Sequence, residues 1–200
     1  MDLSSLNNKQ REAVVNIGGP MLVFAGAGSG KTRVLTYKIA YLIEKIGLPP
    51  ENILAVTFTN KAAQEMKSRV HELVNLSVDG ITIGTFHSIG AYILRKNISV
   101  LGYTSDFTIY DQADSKALIK QTIKDLNFDL KLFDPRSVQT YISNAKNKMQ
   151  NPKDFLKFSS NIKEEKIAKI YSIYQESLKK NNAVDFDDLL NKPLEIFDKF

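Results

Sequence analysis

Ala25-Gly-Ala-Gly-Ser-Gly-Lys-Thr32 stands between an apolar run, Met21-Leu-Val-Phe-Ala25, and an amphipathic stretch at residues 32–46. Strand, glycine-rich loop, Lys-Thr and helix, in that order, make a phosphate-binding loop. The general pattern asks for Gly, four free residues, then Gly-Lys-Ser/Thr; Gly30, Lys31 and Thr32 match, and Ala25 stands where the first glycine is usual. The physical logic survives that departure. Gly26, Gly28 and Gly30 let the backbone turn successive N–H groups toward one point, and a helix opening near Lys31 adds the positive end of its dipole. Lys31 is expected to reach the β- and γ-phosphates and the Thr32 hydroxyl to ligate Mg²⁺. The expected ligand is a nucleoside triphosphate with magnesium, and a mere strand-to-helix turn is the bland alternative.

Working outward, Ile53-Leu-Ala-Val-Thr57 and Ile81-Thr-Ile-Gly84 repeat the short, β-branched, apolar character of residues 21–25, as buried parallel strands do. Residues 32–46 and 61–76 place apolar side chains at helical spacing between them. The expected fold class is α/β, with a partial three-stranded parallel-sheet domain over residues 1–90. Beyond residue 90 the pattern is helical almost throughout, with stretches at 114–126, 136–145 and 164–180, and a short extended piece at Phe107-Thr-Ile-Tyr110. Residues 91–200 are therefore expected to form an all-helical subdomain.

Composition narrows the classes. There is no cysteine among the 200 residues, which excludes a disulfide scaffold, a thiol nucleophile and a Cys-ligated zinc. His71 and His87 are too few for a His-only metal site. No apolar run approaches the roughly 18 residues of a membrane span, and Met1 to Gln10 lacks a signal-peptide layout, so a cytoplasmic protein with no membrane partner is the expectation. The formal net charge of +5 is spread thinly along the chain, which favours anionic partners only modestly.

Three segments refine the nucleotide reading. Gln10, in Leu6-Asn-Asn-Lys-Gln-Arg-Glu-Ala13, carries an amide able to donate to and accept from an adenine edge. At the end of the second strand, Thr57, Phe58, Thr59, Asn60 and Lys61 could stack a base and hold the adjoining phosphates; a buried Phe beside an ordinary turn is the competing account. At the end of the third, Thr85, Phe86, His87 and Ser88 repeat the combination. His87 reads as a nucleic-acid contact, not a catalytic base.

Taken together, LNNKQREAV, AGAGSGKTRVLTYKIA, VTFTNKAAQEM, TIGTFHS and Val184-Asp-Phe-Asp-Asp-Leu-Leu190 closely resemble UvrD/PcrA/Rep-type superfamily 1 DNA helicases, from Leu6 to about Leu190. The resemblance implies a partial RecA-like domain 1A over residues 1–90, followed over residues 91–200 by an inserted helical subdomain 1B near the duplex junction and the start of the return to 1A. It implies ATP and Mg²⁺ as cofactors. Gln10 would be the adenine-reading residue, and Ala25, Gly26, Ala27, Gly28, Ser29, Gly30, Lys31 and Thr32 the nucleotide loop. Arg33 would pack on the adenine, as a planar guanidinium can. Thr57, Phe58, Thr59 and Asn60, with Thr85, Phe86 and His87, would line a single-stranded DNA track. Lysines of the helical half such as Lys146 and Lys148 could meet phosphates, with solvated charge the commoner role.

Hydrolysis needs an acidic strand end, and no apolar strand followed by Asp-Glu occurs; Asp187-Asp188 reads as a helix N-terminal pair. The apolar pattern through Leu194, Ile196, Phe197 and Phe200, broken at Pro193, continues to the last residue. The expectation is an N-terminal part of a longer 3′→5′ helicase, inactive alone and prone to self-association through an open sheet face. A helicase-nuclease subunit, or a nucleotide-dependent DNA-binding module without motor activity, are the alternatives.

Overall fold

The computed structural model describes residues 1–199, and the chain divides into two compact units between Ile89 and Gly90.

The first unit begins with α1 (Asn8–Val15), started by a capping box in which the Asn7 side chain and Gln10 satisfy each other's backbone N–H groups. No basic residue sits in its last turn. Lys38 supplies one from outside, donating to the carbonyls of Ala13 (3.1 Å) and Asn16. Lys38 lies on α2 (Lys31–Glu44), and the two helices meet through Leu6, Ala13, Val14 and Val34. Next come β1 (Leu54–Thr57), α3 (Asn60–Leu73) and β2 (Thr82–Thr85). The strands pair in parallel, Leu54 opposite Thr82 through Thr57 opposite Thr85. Ile39 and Ile43 of α2 and Met66 and Val70 of α3 bury their apolar faces with Ile83 in one core.

One expected strand is not there. Residues 21–25 are not in a strand, so the sheet has two strands and not three. Leu22 is 77% and Phe24 90% exposed. The composition is that of a buried strand, but a strand is stable only with a ladder partner and a covered face. β1 and β2 pair with each other, and no helix covers Leu22 or Phe24. Leu54, at the start of β1, is likewise 60% exposed.

In α4 (Phe86–Asn97) the chain passes into the second unit. That unit continues with β3 (Thr108–Tyr110), α5 (Gln112–Asp125), α6 (Pro135–Asn147), α7 (Pro152–Lys157), α8 (Ile162–Lys180), β4 (Ala183–Asp185) and α9 (Asp188–Lys199). The helices start on side-chain caps from Asp111, Asp134, Asn151 and Asn161. Ile119, Ile123, Val138, Ile142, Ile170 and Tyr174 form its main core. This half is not all helical: β3 and β4 pair in parallel, Thr108 opposite Ala183 and Tyr110 opposite Asp185. Each strand has only three residues, too short for alternation to stand out from the helical pattern around it. In α9, Ile196 is buried while Leu194 and Phe197 are exposed; Phe200 lies outside the described residues.

Lys146 also departs from expectation. It is neither a phosphate contact nor a solvated charge, but 2% exposed, with Nζ 2.6 Å from Asp185 Oδ2 and 2.9 Å from Asp188 Oδ1. Tyr174 donates to the same Asp185 oxygen at 2.9 Å, and Gln175 donates to Asp188. Burial alone would lower the Lys146 pKa, but Asp188 and Asp185 outweigh it and hold the lysine above its ordinary value. Burial would raise Asp188, yet Lys146 and Lys192 pull it below the usual carboxylate range. Lys148, two residues on, is exposed.

Candidate functional site

The phosphate loop is shaped by its glycines at two points. Gly28 and Gly30 have φ of +74° and +86°, a region that costs other residues energy. Gly30 is the N-cap of α2 without a side-chain cap, so the first N–H groups of that helix are left for a ligand. Within the loop, Ser29 N–H donates to the Gly26 carbonyl at 3.3 Å and Ser29 Oγ to the same oxygen at 2.7 Å. Lys31 folds back, its Nζ 3.1 Å from the Ala25 carbonyl and 2.7 Å from that of Gly26. An anion entering the loop would exchange those neutral carbonyl partners for charged oxygens, the stronger kind of hydrogen bond.

Gln10 touches this loop. Its Nε2 donates to the Ser29 carbonyl at 3.0 Å, while its Oε1 accepts from Asn7 N–H at 3.1 Å. Two α2 residues complete the surroundings. Thr32 is partly buried in the first turn. Arg33 sits 5.6 Å from the centroid of the Tyr37 ring, one helical turn on, and Tyr37 Oη is 2.9 Å from Ser5 Oγ. The structure thus gathers Gln10, residues 25–32 and Arg33. Sequence reasoning missed Tyr37 and Lys38; the i, i+4 spacing from Arg33 was the available signal for Tyr37, whereas nothing local marks Lys38 as the clamp on α1.

The second set lies at the ends of β1 and β2, side by side because the strands are parallel neighbours. Phe58 follows β1 and is 92% exposed; Phe86 follows β2 and is half exposed. Their ring centroids are 6.1 Å apart at 49°. An aromatic pair left this open to water loses the burial energy it would gain elsewhere, and offers flat faces for stacking. A buried Phe58, the alternative allowed by sequence, is not what folds.

The polar neighbours are mostly held in local structure. Thr59 Oγ1 accepts from Ala62 N–H and caps α3, and Thr57 Oγ1 donates to the Thr59 carbonyl. Thr85 and Ser88 cap each other at the start of α4, with Thr85 N–H donating to Ser88 Oγ and Ser88 N–H to Thr85 Oγ1. Those bonds fix the backbone that presents Phe58 and Phe86. Asn60 is exposed at the first position of α3, and His87 is partly buried. Among the described residues, no group of three or more His, Asp or Glu could hold a metal ion, and no helix is long and apolar enough to cross a membrane.

The profile of the UvrD/REP helicase N-terminal domain matches residues 6–200. The ATP-dependent DNA helicase PcrA of Bacillus subtilis is 47% identical over 197 residues, 98% of this chain and 27% of that protein. The proteins of the same name from Leuconostoc citreum and Staphylococcus aureus are each 45% identical, over 97% and 98% of this chain. The chain spans about a quarter of the length of these curated relatives.

Proposed function

The chain belongs to the UvrD/REP helicase N-terminal domain family, and on that premise we propose that its first unit is a partial RecA-like domain 1A that binds ATP with Mg²⁺ and single-stranded DNA. The parent activity would be that of a 3′→5′ DNA helicase and translocase. The second unit corresponds in this reading to subdomain 1B, near the duplex junction. The observation that carries the proposal is the joint placement of an uncapped, glycine-turned helix start bearing Lys31 with an open Phe58–Phe86 pair at neighbouring strand ends.

Each residue has a distinct task. Backbone N–H groups of residues 28–32 and the start of α2 cradle the phosphates, and Lys31 neutralises their outer oxygens. Gln10 and Arg33 address the base. Thr32 offers one hydroxyl oxygen to Mg²⁺, a hard cation that usually completes its shell with phosphate oxygens and water; bound there, the ion would neutralise phosphate charge. Phe58 and Phe86 stack on bases, and their caps, Thr59 and the Thr85–Ser88 pair, hold them in position. Hydrolysis needs an acidic strand end beside the phosphates, and the reading carries the expectation that these 200 residues bind nucleotide and DNA without turnover.

The test is equilibrium binding of ATP·Mg²⁺ and of an oligothymidylate, with phosphate release followed alongside. Lys31→Ala should weaken ATP binding about 10- to 100-fold, the worth of a charge-assisted hydrogen bond. Phe58→Ala combined with Phe86→Ala should weaken oligothymidylate about tenfold or more and leave ATP affinity unchanged. Unaltered ATP affinity in the lysine variant, or DNA-stimulated phosphate release from these residues alone, would overturn the reading.

A further inference from the structure

The bond between Gln10 and the Ser29 carbonyl assigns Gln10 a task beyond reading the base. We propose that Gln10 is a positioning residue for phosphate binding: by holding the Ser29 carbonyl outward, it keeps the Ser29–Gly30 peptide turned so that the Gly30 N–H faces the anion. The inference rests on the nucleotide reading of the loop and deepens it.

The carbonyl of Ser29 and the N–H of Gly30 belong to one planar group and point in opposite directions, so whatever holds the oxygen also aims the hydrogen. Glycines flank this peptide closely, Gly28 and Gly30 both having positive φ, and a glycine-rich backbone resists a peptide flip weakly. Flipped, the Ser29 carbonyl would turn toward the anion site and repel a phosphate. The Gln10 amide opposes the flip directly, with Nε2 3.0 Å from that oxygen. The packing is tight as well: a β-carbon at Gly30 would lie 2.8 Å from the same Nε2.

Gln10 is itself anchored. Its Oε1 accepts from Asn7 N–H at 3.1 Å, and its backbone N–H donates to Asn7 Oδ1 at 2.9 Å. The backbone N–H of Asn7 therefore holds the amide that steadies the loop, and it does so whether or not the Asn7 side chain caps α1. A primary amide has two N–H donors and two acceptor lone pairs, so one N–H on Ser29 and one lone pair on Asn7 leave the second of each for a base. The base site and the phosphate loop are joined through one side chain.

The experiment separates phosphate positioning from base reading by using a ligand with no base. Inorganic pyrophosphate with Mg²⁺, ATP and GTP are titrated into the wild-type 200-residue chain and its Gln10→Ala, Asn7→Ala and Lys31→Ala variants. The Gly30 amide resonance is followed in the ligand-free proteins. Asn7→Ala breaks the same helix cap while leaving the Gln10 amide in place. The expected result is that Gln10→Ala weakens pyrophosphate about 3- to 10-fold, the worth of one hydrogen bond, and shifts the Gly30 resonance. Asn7→Ala should change both much less.

Unchanged or tighter pyrophosphate binding in Gln10→Ala, with only the preference for ATP over GTP lost, would confine Gln10 to the base and overturn the proposal. Equal losses in Gln10→Ala and Asn7→Ala would trace the effect to the cap and overturn it too. A wild-type chain whose pyrophosphate and ATP binding ignores Lys31→Ala would instead refute the nucleotide reading beneath it.

Discussion

At the scale of single residues, the buried Lys146 has the largest expected effect on stability. Its ammonium is held between Asp185 and Asp188, all three nearly inaccessible to water. Replacing buried pairs wholesale with apolar groups is often neutral, but removing one partner strands the others. Lys146→Met should therefore cost about 3–5 kcal/mol, measured by urea unfolding. The pH dependence has a definite sign. Asp188 is depressed in the fold, so its contribution is present above the unfolded carboxylate value of about 3.9 and is lost as pH falls through the native value. Lys146 is raised, so its contribution is complete below about 10.4 and is lost as pH rises through the native value. The network should leave stability flat near neutrality and weaken it at both extremes, and the variant should lose that profile. The ion network was not legible in sequence. The lysine and the two aspartates are some forty positions apart, and although Lys146 falls on the buried stripe of α6 with Val138 and Ile142, nothing local names the carboxylates that let a charge sit there. The phosphate loop was legible because its chemistry is contiguous.

At the scale of elements, α9 contains Pro193, which has no N–H to give the carbonyl of Leu189 one turn back. That carbonyl faces α4. A β-carbon at Gly90 would lie 1.9 Å from the Leu189 oxygen and 3.7 Å from Pro193 Cγ. The glycine admits that backbone oxygen, and the proline removes the N–H it would otherwise meet one turn on. Gly90→Ala should force the two elements apart and cost about 1–3 kcal/mol, as overpacking does, seen as a lowered thermal midpoint with secondary structure retained. Sequence periodicity revealed most of the longer helices, since each buries an apolar stripe that repeats along the chain. It could not reveal the Gly90 contact, which depends on how two distant segments cross. Nor could it exclude a strand at residues 21–25, because pairing is settled by neighbours and not by the strand's own residues.

At the scale of the whole molecule, the apolar surface that Leu22 and Phe24 expose should govern behaviour in solution. Exposed segments of this kind associate. The chain should form concentration-dependent oligomers by light scattering, and Phe24→Glu should shift them toward monomer while leaving the far-ultraviolet circular dichroism intact. A monomer at every concentration would refute the link between that surface and association.

The parallel pairing of β3 with β4 brings Thr108–Tyr110 beside Ala183–Asp185, so everything between Asp111 and Asn182 leaves and returns within about one strand length, roughly 10 Å. Its points of departure and return are set by six residues of backbone ladder. A segment anchored in this way behaves as a cassette: descent can lengthen, shorten or exchange its helices as long as both ends still reach the ladder. What must vary with it is its contact with the strand it returns to: Lys146 by charge and Tyr174 by a hydrogen bond both hold Asp185, and Ala183 packs in the cassette's own core.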